Sequence, residues 1–434
     1  MAAVVAATAV AGPLRAQEPG DVRIGITYTP GYLPGFVLAP VEETGGLAEI
    51  ARASEEILRR DLDYSDRFEL IAVPEDLGAG GPVNYGLWNQ LGAVWLATGQ
   101  VSGSPSAPVL RMSLHDVVFG ELKEVRAFSL PAPGGAGFRM AVHRVADELV
   151  RWATGQPGMA ASRIAFRRKQ GEAGSDIWIV DSDGENLRRL TRDSSIVYSP
   201  ALSPDLTHLL YVSYISGGPV VYERNLATGA VRTISAQEGL NVTPVYSPDG
   251  RHILYGRTLG DHTELFELQR QPLCCGRRVT FTNVGETLNA VYSPDGRRIA
   301  LTSSPLGLPH VYVMPLERDE PAIISRYVYG ERGYATSPAW SPLGDRIAYQ
   351  AWIDNSFQVV TVDPDGSDRR VLTSRGSNED PSFAPDGRHL VFASTGRDGK
   401  GLLVLDTVTG RVRWLTRGHE DQMPHWSRPV RPDR

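Results

Sequence analysis

The sequence is poor in cysteine, in clustered positive charge and in long apolar runs. Its 434 residues include 2 cysteines, Cys274 and Cys275, which are adjacent and supply no disulfide framework. Neighbouring cysteines form a disulfide only rarely, and the pattern favours two residues in a hairpin loop. The cysteines leave the cellular compartment undecided.

Charge and hydropathy exclude two kinds of partner. The 44 basic residues are outnumbered by 50 acidic ones, and no basic run is present, whereas nucleic-acid binding depends on Lys and Arg against phosphates. No apolar stretch approaches the roughly 18 residues that a membrane-spanning helix needs. We therefore expect a soluble mature chain that binds no nucleic acid.

The motifs of several enzyme classes are also missing. There is no Gly-x-Ser-x-Gly nucleophile elbow, no His-Glu-x-x-His zinc helix and no Walker loop. No Gly-x-Gly-x-x-Gly dinucleotide loop follows a strand. We expect a protein that is not an enzyme and needs no cofactor.

Turn-forming residues, by contrast, are abundant, with 45 Gly and 31 Pro. Residues 243–255 contain an aromatic residue, a Ser-Pro-Asp-Gly turn and then alternating apolar residues, which predicts two strands joined by a tight turn. Related stretches lie at 199–206, 289–296, 337–344 and 380–387, with a truncated copy at 423–427. The turn prolines are 44, 46, 48 and 43 residues apart. A period in the forties with several short strands per repeat predicts a β-propeller.

The two ends of the repeat array complement each other. Residues 163–166 resemble the strand that elsewhere follows the turn, but no such turn precedes them. Residues 424–427 resemble the strand that precedes the turn, and no such turn follows them. The last strand should therefore close a ring with the first, which removes exposed sheet edges. We predict an all-β, six-bladed β-propeller of WD40-like (PD40) repeats over residues 159–434.

Residues 17–158 have a different pattern, which predicts an α/β N-terminal domain ending at Pro157-Gly158. Apolar residues at helical spacing predict helices at 46–61, 85–91 and 138–152. Apolar segments between them predict strands at 22–26, 68–73, 93–97, 108–116 and 122–129.

Residues 1–16 are Ala-rich and end in Leu14-Arg15-Ala16, as the remnant of a signal peptide cleaved after Ala16 would. No basic leader precedes them, so either the true translation start lies upstream or the segment is not a signal.

Loops that precede the Pro-aromatic strands are predicted to surround one end of the propeller channel, its mouth. A solvated rim explains each polar residue there singly, but together they form an acidic and polar ring suited to a protein partner. The predicted mouth residues are Asn241, Glu286, Thr287, Tyr334, Glu379, Asp380, Glu420 and Asp421.

Two sequence patterns could indicate a metal-binding site. His208, His252 and His389 occupy equivalent places after the repeated turn, but such positions lie a whole blade apart, so we predict no metal. The Asp-x-Asp-Gly segments at 181–184 and 363–366 lack the other ligands of a calcium loop and are predicted to be hairpin turns.

The ordered combination of a small α/β domain with these repeats resembles the TolB family, the periplasmic β-propeller component of the Tol-Pal system. The similarity includes residues 21–24, the helix at 141–149 and the passage from Thr154-Gly155 to 163–166. It implies a non-enzymatic periplasmic scaffold that supports outer-membrane integrity, cell division and protein import. The propeller mouth would bind the peptidoglycan-associated lipoprotein. The N-terminal tail, through Asp21, Val22, Arg23 and Ile24, would bind a TolA-like inner-membrane protein.

Some positions depart from the family pattern. Leu206 replaces Gly in the first repeat, Ala290 replaces Pro in the third and Leu343 replaces Asp in the fourth, and residues 29–35 have no evident counterpart. Two other classes remain alternatives. One is a propeller lyase or carbohydrate-binding protein with a channel metal. The other is the propeller part of a peptidase, which would need a separate hydrolase domain.

Overall fold

A computed structural model of the protein describes residues 32–73, 83–135, 137–171, 174–318, 320–326 and 333–430. The predicted signal remnant at 1–16, the predicted strand at 22–26 and the tail residues Asp21 to Ile24 all lie outside the described residues. They remain predictions.

The N-terminal part is a mixed sheet covered by helices. Its helices are α1 (Ala48–Tyr64), α2 (Tyr85–Gln90) and α3 (Phe138–Thr154). Its strands are β1 (Gly35–Leu38), β2 (Glu42–Glu43), β3 (Glu69–Leu70), β4 (Ala93–Ser104), β5 (Ala107–Asp116) and β6 (Glu121–Ser129). The strand order is β3-β1-β4-β5-β6, with β2 beside β4. β1 runs parallel to β3 and β4, whereas β4, β5 and β6 are antiparallel.

The helices form where apolar residues recur on one face. Ile50, Ile57, Leu58 and Leu62 of α1 are buried against α3 and the sheet. α3 ends at Gly155, whose left-handed φ of 71° suits a residue without a Cβ. The predicted helices are confirmed. β1 was not predicted, because four consecutive buried residues show no alternation.

The described residues from Arg163 onward form six four-stranded antiparallel sheets, which are the six blades. Blade 1 has β10 (Val197–Leu202), β11 (His208–Ser213), β12 (Val220–Asn225) and β13 (Val231–Ser235); blade 2 has β14 (Asn241–Tyr246), β15 (His252–Leu259), β16 (His262–Gln269) and β17 (Cys274–Arg278). Blade 3 has β18 (Thr287–Tyr292), β19 (Arg298–Ser303), β20 (His310–Pro315) and β21 (Ala322–Ile323); blade 4 has β22 (Ala335–Trp340), β23 (Ile347–Ile353), β24 (Ser356–Val362) and β25 (Arg370–Val371). Blade 5 has β26 (Ser377–Phe383), β27 (His389–Gly396), β28 (Gly399–Asp406) and β29 (Val412–Arg417); blade 6 has β30 (Asp421–Trp426), β7 (Arg163–Gln170), β8 (Gly174–Asp181) and β9 (Arg188–Arg189).

Blade 6 joins the two ends of the propeller segment, as predicted. β30 is antiparallel to β7, with Trp426 opposite Ile164 and His425 opposite Ala165. The buried indole of Trp426 donates to the Ser162 hydroxyl across 2.7 Å. The six-bladed closed ring is confirmed.

The repeated turns close by the interactions expected from their residue types. In the turn at 247–250 the Ser247 hydroxyl donates to Asp249 across 2.6 Å, and the Gly250 N–H donates to the Ser247 carbonyl across 2.9 Å. Gly250 has a φ of 72°, the left-handed conformation that the sequence predicts for it. At the equivalent position of blade 1, Leu206 adopts a φ of 59° despite its side chain.

The Asp-x-Asp-Gly segments are hairpin turns, as predicted. The N–H of Gly184 donates to the carbonyl of Asp181, and the N–H of Gly366 donates to that of Asp363. The cysteines differ from expectation, because Cys274 and Cys275 are joined as a disulfide. Cys275 has a φ of 59°, so the two side chains do not point to opposite faces as they would along a regular strand.

The α/β domain contacts the propeller at the end that carries the repeated turns. Asp66, which follows α1, lies 3.2 Å from the His389 ring, and Arg67 lies 3.6 Å from Asp386 in the turn of blade 5. Arg60 of α1 pairs with Glu185 in the turn after β8 at 3.1 Å. The opposite end of the channel, where the innermost strands begin, is not involved in these contacts.

Candidate binding site at the channel mouth

The channel is lined by the first strand of each blade, and each of these strands is interrupted at the same place. In blade 2, Val242 pairs with Gly256 and Val245 pairs with Leu254, so Thr243 and Pro244 together face one residue of β15. The same irregularity occurs in all six innermost strands. Such a bulge bends the strand and suits proline, which has no N–H to contribute to the ladder.

The first bulge residue of every blade has a left-handed backbone. The six residues, which we call the channel ring, are Ser199 (φ 50°), Thr243 (φ 48°), Asn289 (φ 52°), Ser337 (φ 54°), Asp380 (φ 53°) and Met423 (φ 51°). None is glycine, and the β-branched Thr243 is an uncommon occupant of this conformation. Non-glycine residues held in this region cost about 1–3 kcal/mol each and concentrate at functional sites. The repetition of this cost six times around the channel makes the ring the leading candidate site.

The ring residues and the residues that follow them, which are prolines in five blades and Ala290 in blade 3, line a cavity of about 220 Å³. Three of its side chains are joined around the wall: Asn289 Nδ2 lies 3.4 Å from Ser337 Oγ, which donates to Asp380 Oδ1 across 2.8 Å. This volume admits side chains or the tip of a loop, and it does not admit a folded domain. A protein partner would therefore rest on the mouth and insert only a few side chains.

Two titratable groups set the charge of the channel wall. Burial raises the pKa of Asp380, against the opposing effect of the hydrogen bond from Ser337. Burial lowers the pKa of His425 to about 4, and its Nδ1 accepts a hydrogen bond from the Leu202 N–H at 3.3 Å. His425 is therefore neutral at neutral pH, and the wall offers hydroxyl, amide and carboxyl groups.

The eight predicted mouth residues fall into three groups. Glu286 and Tyr334 are exposed; Glu379, Asp380 and Glu420 are half-buried; Asn241, Thr287 and Asp421 are buried. Only Asp380 belongs to the channel ring. The expectation that all eight lie in loops is corrected, because five of them are strand residues.

The three buried residues of this set form hydrogen bonds within the propeller blades. Asn241 Oδ1 accepts from the Ser235 hydroxyl at 2.7 Å, and its Nδ2 donates to the Gln237 carbonyl at 2.7 Å, which ties the incoming loop to β14. Thr287 and Ser303 share a hydroxyl hydrogen bond of 2.8 Å between neighbouring strands. These groups use their hydrogen-bonding capacity inside the fold, so they are not available to a partner in this arrangement.

Asp421 has the clearest structural role of the eight. It forms a bidentate pair with Arg168 and also accepts from the Thr416 hydroxyl at 2.7 Å. The Arg168 guanidinium lies against the Trp178 ring, 5.1 Å from its centroid. Asp421 thereby joins the closing strand β30 to β7 within blade 6.

Sequence reasoning missed five ring residues: Ser199, Thr243, Asn289, Ser337 and Met423. Their signal was present, because each precedes the repeated Pro (or Ala290) at the same register. Bulge geometry sets this position apart, whereas the predicted residues other than Asp380 lie one to three places earlier in the chain.

The three equivalent histidines do not converge. His208 and His252 are half-buried beside their own turns, where the Thr207 hydroxyl meets His208 Nδ1 at 2.7 Å. His389 is fully buried against Asp386 and Asp66. Each histidine therefore belongs to its own blade.

Comparison with known proteins identifies the family. Residues 150–430 match the model of the TolB beta propeller domain, and residues 24–122 match that of the TolB amino-terminal domain. The chain is 31% identical over 405 residues to the Tol-Pal system protein TolB of Bordetella pertussis, covering 92% of this chain and 88% of that protein. The chain belongs to the TolB family.

Relatives and solved structures agree with this assignment. The TolB of Bordetella bronchiseptica is likewise 31% identical over 92% of this chain and 88% of its own length. The crystal structure of TolB from Acinetobacter baumannii superposes with a TM-score of 0.80 at 25% identity, covering 92% of this chain and 98% of that one. The hydrazine synthase of Kuenenia stuttgartiensis, at 15% identity and a TM-score of 0.53 over 64% of this chain and 48% of that one, shares the fold alone. Among the described residues, no helix has the length and apolarity needed to cross a bilayer.

Proposed function

We propose that this TolB-family chain is a non-enzymatic component of a Tol-Pal system in the periplasm. In this proposal the channel mouth binds the peptidoglycan-associated lipoprotein. The N-terminal tail, including Asp21, Val22, Arg23 and Ile24, binds a TolA-like inner-membrane protein. The chain would thereby connect the outer membrane to the inner one. The family assignment and the names of the relatives support the system, and the channel ring supports the mouth as the docking surface.

The channel ring is the observation that carries this proposal. Six positions at one register keep a strained backbone while presenting mostly polar side chains to one cavity. Packing alone does not require this, because Gly at each position would relieve the conformational cost. Six non-glycine residues that keep this unfavourable backbone conformation favour a binding role for the ring.

Asp380 offers a sharp test, because asparagine has its shape and tolerates a positive φ. Asp380→Asn keeps the acceptor for Ser337 but removes the ionisable carboxyl group, and we expect binding to the purified lipoprotein to weaken about ten-fold, the loss of about 1.4 kcal/mol. Asp365→Asn makes the same substitution in an exposed hairpin turn outside the ring and should bind as the unmodified protein does. Calorimetric titration of both variants gives the comparison, and equal affinities would contradict docking at the mouth.

The tail is tested separately with a second partner. Deleting residues 17–26 should abolish binding to a purified TolA-like protein and leave lipoprotein affinity within about two-fold, since the proposed surfaces use different residues. Retained TolA-like binding by the deletion variant would overturn the tail assignment and leave the mouth assignment standing.

A further inference from the structure

The contact between the α/β domain and the propeller contains two buried histidines, each placed between carboxylates of both parts. His143 of α3 lies 2.7 Å through Nδ1 from Asp61 of α1. Its Nε2 faces Asp183, in the propeller turn after β8, at 4.0 Å and has no hydrogen-bond partner. His143 and His389 both have 0% of their surface exposed.

The second histidine is placed the other way round, since it belongs to the propeller. His389 of β27 lies 2.7 Å through Nδ1 from Asp386 of its own turn. Its Nε2 lies 3.2 Å from Asp66, the residue that follows the last turn of α1. A neutral imidazole has one N–H, so one ring nitrogen would present a lone pair to a carboxylate. The imidazolium donates from both nitrogens and fits both carboxylates.

The other charges around His143 come from three elements. Arg139 of α3 and Arg60 of α1 both pair with Asp183. Asp181 at the end of β8 adds negative charge nearby. Burial raises the pKa of Asp147, one turn along α3, to about 7, so this carboxyl group also titrates near neutral pH. His143 therefore lies where carboxylates from the helices and the propeller meet, and Asp183 is also paired with two guanidinium groups.

The surroundings of His389 are built in the same way. Arg388 forms a bidentate pair with Asp406 of β28 and donates to the backbone carbonyl of Asp66. Arg411 pairs with Asp66 at 3.0 Å, and Arg67 lies 3.6 Å from Asp386. The carboxylates near His389 thus come from a propeller turn (Asp386), a propeller strand (Asp406) and the segment that follows α1 (Asp66).

We propose that His143 and His389 form a proton-dependent latch between the α/β domain and the propeller. The latch is closed when both imidazoles are protonated. His389 then donates to a carboxylate of each part, and the positive charge of His143, which is hydrogen-bonded to Asp61, attracts Asp183 across 4.0 Å. Loss of either proton leaves a buried carboxylate facing a lone pair, and the domain contact loosens. The latch does not depend on the identity of any partner.

The titration of these groups agrees with the geometry. Burial alone would lower the pKa of His143, but the charge and hydrogen bond of Asp61 raise it above its ordinary value. Burial also raises the pKa of Asp61, so this pair holds its proton to higher pH than free residues do. For His389, burial likewise opposes protonation, and Asp386 raises the pKa overall.

The sign of the pH effect follows from these directions. Both histidines have folded pKa values above the ordinary value of about 6.5, so their contribution to docking is fully present below that pH. It is lost as the pH rises through the folded pKa values. Each extra proton bound by the closed form changes the opening equilibrium by up to about ten-fold per pH unit.

A divalent cation is the competing occupant of such clusters. Asp183 already pairs with two arginines, Asp66 with Arg411 and Asp406 with Arg388. A cation there would face these guanidinium groups at short range, whereas a proton on the imidazole fits between the carboxylates. The geometry therefore favours the proton.

Hydrogen exchange of the full chain between pH 6 and 9 tests the latch, with rates corrected for the intrinsic pH dependence of exchange. Protection of α1 and α3 should fall by up to about ten-fold per pH unit for each histidine that loses its proton, while the inner propeller strands stay protected. His143→Gln and His389→Gln should each lower protection at pH 6 and flatten its decline. His419→Gln, at an exposed site near the mouth, should leave the profile unchanged.

Asp66→Asn provides an alternative test of the latch if a histidine variant does not fold. Asp66 has a φ of 52°, which asparagine tolerates, so the variant removes the charge facing His389 and keeps the backbone. The variant should lower the protection of α1 from hydrogen exchange at pH 6, and the protection should decline less steeply as the pH rises. A pH-independent profile in the unmodified protein, an unaltered slope in these variants, or a profile changed by a chelator would each overturn the latch.

Discussion

Arg168 and Asp421 face each other across the seam of the propeller, with Nε 2.6 Å from Oδ1 and Nη2 2.7 Å from Oδ2. Arg168 belongs to the first strand of the propeller segment and Asp421 to the last, so residues 253 positions apart form one bidentate pair. Both side chains are almost completely buried. The pair therefore joins the two ends of the propeller at the place where the ring could open.

Breaking this pair should destabilise the closed ring. Asp421→Asn leaves the Arg168 guanidinium buried without its counter-charge, and such losses cost about 3–5 kcal/mol. Urea unfolding followed by fluorescence measures the change. The neighbouring solvent-accessible pair of Lys169 and Glu420, at 3.4 Å, is the matched control, and Lys169→Ala should cost less than about 1 kcal/mol. Similar losses in both variants would refute a special role for the buried pair.

The closing strand makes a second contribution through Trp426. Its buried ring packs in the core between blades 5 and 6, and its indole N–H donates to Ser162. Trp426→Ala should therefore cost about 3–5 kcal/mol, as large-to-small core changes do. Trp426→Phe keeps most of the apolar contact and loses the hydrogen bond, so we expect an intermediate loss in the urea midpoint. If the Phe variant is as unstable as the Ala variant, the packing argument is incorrect.

Two glycines at the junction of the two parts should respond to alanine for different reasons. A Cβ on Gly158 would lie 2.1 Å from Oδ1 of Asp147, the carboxylate that accepts the N–H groups of Ala160 and Ala161. Gly158→Ala should cost about 1–3 kcal/mol through this overlap. Gly155 has open space around its Cα but a φ of 71°, so Gly155→Ala should cost about 1 kcal/mol and Gly155→Asn less. Thermal melts rank the variants, and a harmless Gly158→Ala would contradict the steric account.

These residues also show what the sequence could and could not predict. The Ser-Pro-Asp-Gly turn follows from local chemistry, so its recurrence predicts the number of blades, and the unpaired half-repeats predict their closure. The buried state of Asp421 depends on Arg168, which is remote in the sequence and carries no local signal. Thr243 sits one residue from a recognised proline, yet its position in the channel follows from the bulge, which only the pairing of β14 with β15 reveals.

Acid should destabilise the protein through His425. Its folded pKa is lowered to about 4 by burial, below the ordinary value of about 6.5, so its contribution to stability is present above pH 6.5. It is lost as the pH falls toward 4, with a slope of up to about 1.4 kcal/mol per pH unit. Urea unfolding at pH 4 to 7 should show this decline, and His425→Asn should flatten it. If the free energy of unfolding of the variant declines as steeply with falling pH, groups other than His425 cause the loss of stability in acid.

The channel ring predicts that stability and binding can be separated at Thr243. Its φ of 48° is costly for a β-branched side chain, and asparagine adopts this conformation far more readily. Thr243→Asn should therefore raise the free energy of unfolding by about 1 kcal/mol, since the Asn oxygen can also replace Thr243 Oγ1 as acceptor for the Asn289 N–H. The same change alters the size and polarity of one sixth of the ring, so lipoprotein affinity should fall several-fold. Urea unfolding and calorimetric titration of one preparation measure both quantities. Increased stability with unchanged affinity would show that the strained backbone at this position serves the fold of the bulge and not the binding of a partner.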